Sequence, residues 1–186
     1  MENSLKGLKV AILVAHGFEQ SEMVEPKKAL EQAGAKTFII SPIKGKVKGW
    51  SAKNWGDEFP VDKELSQAKA DEFDALLLPG GVANPDTLRM TPAAVEFVKH
   101  FIKEGKPIAS ICHGPWILIN AKGVKGKTLT SWPSIQVDLI NAGANWVDQQ
   151  VVVDDNLVTS RKPEDLPAFN KAMITLFSEK TVIRSR

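Results

Sequence analysis

A doubly wound α/β fold, with a mostly parallel sheet and helices on both faces, is predicted for this chain of 186 residues. Three observations predict it. The apolar runs at residues 8–15, 74–78 and 107–111 are continuous rather than alternating, as in strands buried on both faces. Stretches of helical spacing lie between the runs. The first strand, helix and second strand also follow one another within about 35 residues, the length of a βαβ unit, which makes neighbouring strands parallel.

In chain order, residues 8–15 form the first strand, which His16-Gly17 breaks. Residues 21–33 have helical spacing, with Met23, Ala29, Leu30 and Ala33 on one side. Ser21 is the expected N-cap, Pro26 must then fall within the first turn or two, and Gly34 ends the helix. Residues 36–41 are the second strand. Residues 42–72 carry Gly45, Gly49, Gly56 and Pro60 among many lysines. They read as short strands and turns, with one short helix near 64–68. Residues 74–78 are a buried strand ending in Pro79-Gly80-Gly81. A helix at 91–104, closed by Gly105, precedes the strand at 107–111, and a further helix occupies 116–121. Residues 127–130 are a short strand, and 133–142 a helix stopped by Gly143. Strands at 150–153 and 157–160 flank Asp154-Asp155-Asn156 as a hairpin. The final helix, 163–179, turns Leu166, Phe169, Met173, Leu176 and Phe177 inward. Without repeats or low-complexity tracts, residues 1–186 are expected to form one domain.

Composition narrows the function. Hydrophobic residues make up 43% and charged residues 25%, ordinary for a globular protein, and the net charge is only +2. That balance gives no footprint for nucleic acid. The cluster Lys44, Lys46, Lys48 and Lys53 holds no arginine and reads as a solvated loop. No apolar stretch approaches the ~20 residues of a membrane span, and residues 1–9 lack a signal-peptide pattern. A single cysteine cannot form an internal disulfide, so a reducing, cytoplasmic location is expected.

That cysteine carries the chemistry. Residues 106–115 read K-P-I-A-S-I-C-H-G-P, a strand feeding a sharp turn and then a helix. A residue at such a turn sits where unpaired N–H groups and partial positive charge favour a thiolate. Ser110 and Gly114 are small enough to let a strained elbow close. The alternative is an inert buried thiol, because free cysteine is among the most buried residue types. Three strand ends, at His16-Gly17, Pro79-Gly80-Gly81 and Cys112-His113, reach one sheet edge, where doubly wound folds bind ligands. The N–H groups of Gly81 and His113 are candidate donors to an oxyanion. Gly80-Gly81 also fits a plain tight turn.

A proton-handling partner is harder to assign. The chain has only His16, His100 and His113, and none follows residue 113. That excludes an in-chain triad with a late histidine. His100 falls mid-helix beside Lys99 as a surface residue. His113 can approach Cys112 or turn away to a carboxylate. Glu19 and Glu22 follow the first strand, three residues apart, and can share a face toward the cleft. A buried carboxyl beside the thiol would keep its proton and donate it. From spacing alone, however, both are better read as ordinary acids in a helix first turn. Neither the histidines nor the cysteine has metal-ligand spacing, and no phosphate-binding glycine loop occurs, so no metal and no cofactor is expected.

Together A-S-I-C-H-G-P, L-L-L-P-G-G, G-F-E-Q-S-E and V-T-S-R-K-P-E-D-L resemble the PfpI-type intracellular cysteine proteases. That superfamily also holds the Parkinson-associated deglycase, glyoxalase III enzymes and bacterial stress proteins. The resemblance runs from about Leu8 to Leu176. It implies a flavodoxin-like sandwich of the class I glutamine amidotransferase kind, with Cys112 as nucleophile, His113 as its adjacent histidine and Glu22 as a protonated glutamate bonded to the thiol. It also implies a homodimer or a ring of dimers, in which an acid after P-G-G reaches the histidine of a neighbouring subunit. Asp86 is the nearest match, in a loop one residue longer and with Asp in place of Glu. Trp50 and Trp55 would serve such an interface or the core.

The expected activity is a stress-response cysteine hydrolase whose Cys112 attacks a carbonyl. The substrate is a peptide bond, or glyoxal, methylglyoxal and their protein adducts. The alternative from another class is a non-catalytic oxidation sensor or chaperone in which Cys112 is oxidised in place of turning over substrate.

Overall fold

The computed structural model describes residues 4–184. A seven-stranded sheet runs through the molecule. Its strands are β1 (Lys9–Leu13), β3 (Lys36–Ser41), β6 (Lys63–Glu64), β7 (Ala75–Leu78), β8 (Ile108–Ile111), β11 (Val151–Asp154) and β12 (Leu157–Ser160), in spatial order β11-β12-β8-β7-β1-β3-β6. All neighbours are parallel except β11 against β12, the predicted hairpin. The chain moves outward from β1 to β3, then returns to lay β7 on the other side of β1. The sheet order reverses between β1 and β7, where a crevice opens at the carboxyl ends of the strands.

Alternation along β1 explains how one strand feeds two cores. Val10, Ile12 and Val14 pack with Met23 and Leu30 of α1 (Gln20–Gln32) and with Phe169, Met173 and Phe177 of α6 (Leu166–Arg184). Ala11, Leu13 and Ala15 pack on the opposite face with Leu88, Phe97, Phe101, Ile117 and Leu139. Those side chains come from α2 (Ala83–Met90), α3 (Pro92–Lys103), α4 (Pro115–Asn120) and α5 (Gln136–Asn141). Every residue of β7 and β8 is buried, as a central parallel strand requires. The expected α/β class holds.

Several details correct the sequence reading. Helix α1 starts one residue early, at Gln20, and its cap position is Glu19, which makes no side-chain cap bond; Ser21 lies inside the helix. Helix α2 was not expected. Pro85 sits in its first turn, where the missing N–H would have had no helical partner. Residues 133–142 divide into a 3-10 turn (Pro133–Ile135) and α5. The short helix near 64–68 is a single 3-10 turn, Leu65–Gln67. The irregular segment contains an antiparallel hairpin, β4 (Lys46–Ser51) with β5 (Asn54–Pro60), which joins β2 (Phe18–Glu19) in a separate three-stranded sheet. β9 (Thr128–Leu129) pairs with β10 (Asn145–Trp146) in a separate two-stranded sheet. No helix among the described residues is long and apolar enough to cross a membrane.

Candidate active site

Cys112 follows β8 directly and takes φ of 62°, a left-handed conformation that is costly for a residue with a side chain. Its neighbours hold it there. Its N–H donates to the carbonyl of Ser160 (3.1 Å), and its carbonyl accepts from the N–H of Trp132 (3.0 Å). The N–H of Gly114 returns to the carbonyl of Ile111 (2.9 Å) and closes the turn. The thiol is thereby pushed off the end of the sheet into a cavity of about 610 Å³ while staying 8% exposed. The elbow expected from sequence is present; Cys112 is buried in the core cluster, as the alternative expected, and the cavity nevertheless reaches it.

Glu22 comes up from the first turn of α1 and is completely buried. Its Oε2 accepts the N–H of Gly80 (2.9 Å), and its carboxyl is hydrogen-bonded with the Cys112 thiol. Oε1 is buried with no nitrogen or oxygen partner. Burial, followed by the charge of Glu19, raises the Glu22 pKa from 4.5 to about 8, so the carboxyl is protonated at neutral pH. The thiol is also pushed up, by burial first and the Glu22 charge second. The N–H groups of Gly81 and His113 oppose this from the backbone. A helix end was expected to be enough to favour a thiolate. Here burial outweighs it. What the site holds is a thiol and a carboxyl that cannot both be ionised, so the pair keeps at least one proton near neutrality.

The turn after β7 completes this arrangement. Gly81 has φ of 76° and lies against the backbone of Gly17 and Phe18, with no room for a side chain. Its N–H and that of His113 both face Cys112 Sγ, where an oxyanion formed on a carbon bonded to sulfur would also lie. Asn84, unnoticed in the sequence, fixes the loops that carry these groups. Its buried amide accepts from the N–H of Ala15 (2.7 Å) and donates to the carbonyls of Pro79 and Gly80 (3.1 Å each).

His113 does approach the thiol: Nδ1 is 3.3 Å from Sγ. Its Nε2 is 3.3 Å from Ser134 Oγ, a partner with no signal in the sequence. The ring packs edge-on to Trp116 and stacks with Trp132. Burial lowers its pKa, so it is a neutral imidazole with one nitrogen able to accept a proton. Asp86 is not brought to it; it lies exposed on α2. His16 is exposed, its Nδ1 accepting the Lys48 N–H (3.0 Å), and does not line the cavity. His100, expected at the surface, is half-buried and far from the site on α3.

Of the roles expected for the hairpin tryptophans, the core one is not taken up: Trp50 and Trp55 lie outside the core and line the cavity together with Trp132. Glu19, half-buried, is a further wall residue. No group of three or more His, Cys, Asp or Glu among the described residues could hold a metal ion.

Residues 8–176 match the DJ-1/PfpI family. General stress protein 18 of Bacillus subtilis (strain 168) is 46% identical over 175 residues, 93% of this chain and 99% of its own length. Protein/nucleic acid deglycase 2 of Escherichia coli (strain K12) is 45% identical over 170 residues, 90% of this chain and 96% of its own length. A solved two-domain protein of Anabaena variabilis, with DJ-1/ThiJ/PfpI-like and ferritin-like domains, superposes with a TM-score of 0.85 at 39% identity. That superposition covers 90% of this chain and 47% of the two-domain protein.

Proposed function

The chain belongs to the DJ-1/PfpI family, and on that premise we propose that it is a cysteine enzyme of α-oxoaldehydes, acting on glyoxal and methylglyoxal or on the hemiaminals they form with amines. The observation that carries this reading is the protonated Glu22 carboxyl hydrogen-bonded with the Cys112 thiol at the floor of a mainly apolar cavity. Sulfur adds to the aldehyde carbon, and the thiol proton passes to the carbonyl oxygen under the N–H groups of Gly81 and His113. In the hemithioacetal of methylglyoxal the proton on C1 moves to C2 through an enediol, handled by Glu22 or the neutral His113. The product is a thioester of lactate. Water cleaves it, releasing lactate and restoring the thiol. Methylglyoxal and water thus give lactate with no external oxidant or reductant. From a hemiaminal, sulfur bonds to the carbon bearing the amine as the carbon–nitrogen bond breaks, the thiol proton leaves on the amine, and the same hemithioacetal results.

The relative named a deglycase supports this class of substrate, and the one named a general stress protein supports a stress setting. One observation favours peptide hydrolysis as a second reading: His113 Nδ1 stands 3.3 Å from Sγ, the spacing of a cysteine–histidine peptidase pair. On either reading we expect assembly at least to a homodimer, in which the exposed Asp86 of a second copy would be offered to His113.

Lactate formation from methylglyoxal, wild type beside Cys112→Ser, tests the proposal. Many turnovers per protein that vanish in the variant, with an unchanged circular dichroism spectrum, are expected. Peptide cleavage without lactate would give the site to the second reading. No turnover of either substrate, with stoichiometric oxidation of Cys112, would give it to the sensor.

A further inference from the structure

The cavity has two depths. At its floor Glu22 is 0%, His113 7% and Cys112 8% exposed. Toward its mouth Trp55 is 54% and Trp132 39% exposed, with Trp50 and Glu19 half-buried between. The floor contains the reacting groups. Nothing in the proposed chemistry uses the mouth.

The mouth has an uncommon make-up for a protein of net charge +2. Among the described residues no lysine or arginine lines the cavity. Glu19 is desolvated, which raises its pKa, yet among the described residues no cation lies within ion-pair distance of it; it is hydrogen-bonded by the hydroxyl and backbone of Ser21. Exposed Glu164, next to lining residue Pro163, adds negative charge felt as deep as Glu22. Around this lie three indoles. Trp50 and Trp55 meet edge to face with centroids 5.5 Å apart, so their rings present differently oriented faces. Lys48 Nζ lies 5.9 Å from the Trp55 centroid, so that ring already attracts an ammonium within this molecule. Lys48 makes no ion pair with Glu19 and does not line the cavity. A carboxylate without an ion-pair partner, set beside three indoles, is complementary to a cation.

Resting on the α-oxoaldehyde reading, we infer that the mouth of this cavity is a cation subsite, so that preferred substrates carry an alkylammonium or alkylguanidinium group a few atoms from the reacting carbon. Glu19 supplies the charge, and Trp50, Trp55 and Trp132 the cation-binding faces. Free methylglyoxal would fill only the floor. A carbonyl adduct tethered to a basic side chain would fill both depths.

Binding can be read apart from chemistry in Cys112→Ser protein, which keeps the cavity and has no nucleophile. Tryptophan fluorescence would follow titration with n-butylguanidinium and with n-butylurea, its neutral counterpart of similar shape. The guanidinium should bind at least about tenfold more tightly, a factor in the range that desolvated cation–π and charge contacts supply. Adding Glu19→Gln should bring that preference below about threefold. Trp55→Leu, at an exposed position where loss of the fold is not expected, should reduce it part of the way. Equal affinities, failure of both compounds to bind, or a tenfold preference that survives Glu19→Gln would each overturn the inference. The underlying reading fails separately: if Cys112-containing protein makes no lactate while the guanidinium preference holds, the subsite stands and the α-oxoaldehyde chemistry falls.

Discussion

The floor of the cavity is made of backbone packed on backbone, from Gly80-Gly81 to Ile111–Gly114, whereas its rim is a hairpin whose inner strand β4 pairs with the short β2 and buries Val47, and whose outer strand β5 is mostly exposed and tied to α1 by side-chain bonds. At the floor there is no slack. A side chain on Gly80 would meet the Cβ of Cys112 at 2.6 Å and the carbonyl of Ile111 at 2.8 Å. At the rim, most of β5 is exposed, and the link to α1 is the amide of Gln20: Nε2 donates to Asp57 Oδ2 (2.8 Å) and Oε1 accepts the Asp57 N–H (2.7 Å). Bond-making needs groups held to a fraction of an ångström, and close-packed backbone supplies that. Recognition of a ligand's far end tolerates a looser wall. Perturbations of the floor should therefore change chemistry and stability together, and perturbations of the rim should change binding.

The largest effect is expected from Glu22→Gln, through pH. Glu22 titrates at 4.5 when solvated and at about 8 in the fold, so the folded protein binds its proton more tightly than the unfolded chain. The stability this proton lends is complete below pH 4.5 and is lost as pH rises toward 8, an interval that amounts to about 5 kcal/mol at 1.36 kcal/mol per pH unit. Glutamine cannot ionise, so the variant should lack this slope. Urea midpoints at pH 5 and pH 8 check it: wild type should fall relative to the variant. Equal slopes would mean that Glu22 is ionised in the fold. Alkylation of Cys112 by iodoacetamide gives a second readout. Its rate profile should bend near pH 8 in wild type, as Glu22 loses its proton, and lose that bend in the variant.

Gly80→Ala is next. The added methyl meets the Ile111 carbonyl, the Cβ of Cys112 and Glu22 Oε2, so relaxation must move β8, the elbow or the Glu22 side chain. A loss of about 3 kcal/mol is expected, at the upper end of overpacking effects, together with loss of turnover. Thermal unfolding and lactate assay in the same preparation would show whether the two fall together. A stable variant without activity would separate the precision of the floor from its packing.

The same contrast governs what could be read from sequence. The floor was legible because its physics is local. An apolar run, a cysteine and Gly-Pro announce an elbow, and three such strand ends converge by the rules of parallel sheets. Glu22 was visible only through family resemblance, since its spacing also fits an ordinary helix start. The rim was obscure because it depends on distant pairing. The hairpin turn places Ala52 at φ of 55°, a conformation usually marked by glycine or asparagine, so no turn signal appeared. Helix α2 was hidden by Pro85, and with it the role of Asn84 in tying two strand ends. Ser134 meets His113 only because the loop after β9 folds over the elbow, a placement no short-range pattern encodes.

The smallest effect expected is that of Gln20→Ala, and it tests the rim directly. The change removes two hydrogen bonds between α1 and β5, both at exposed positions where water replaces them at little cost. Global stability should fall by only about 1 kcal/mol. Local opening should rise more. Hydrogen exchange at the Asp57 amide, whose acceptor is lost, should quicken well beyond that of the Cys112 amide, which still donates to Ser160. Trp50 and Trp55 ride on the two strands of this hairpin, so a hairpin that opens more often presents the cation wall for less of the time. Affinity for butylguanidinium should therefore weaken, while the rate and pH profile of Cys112 alkylation stay as in wild type. If the alkylation profile shifts as much as the affinity, the hairpin and the elbow move as one body, and the division between a rigid floor and a yielding rim fails.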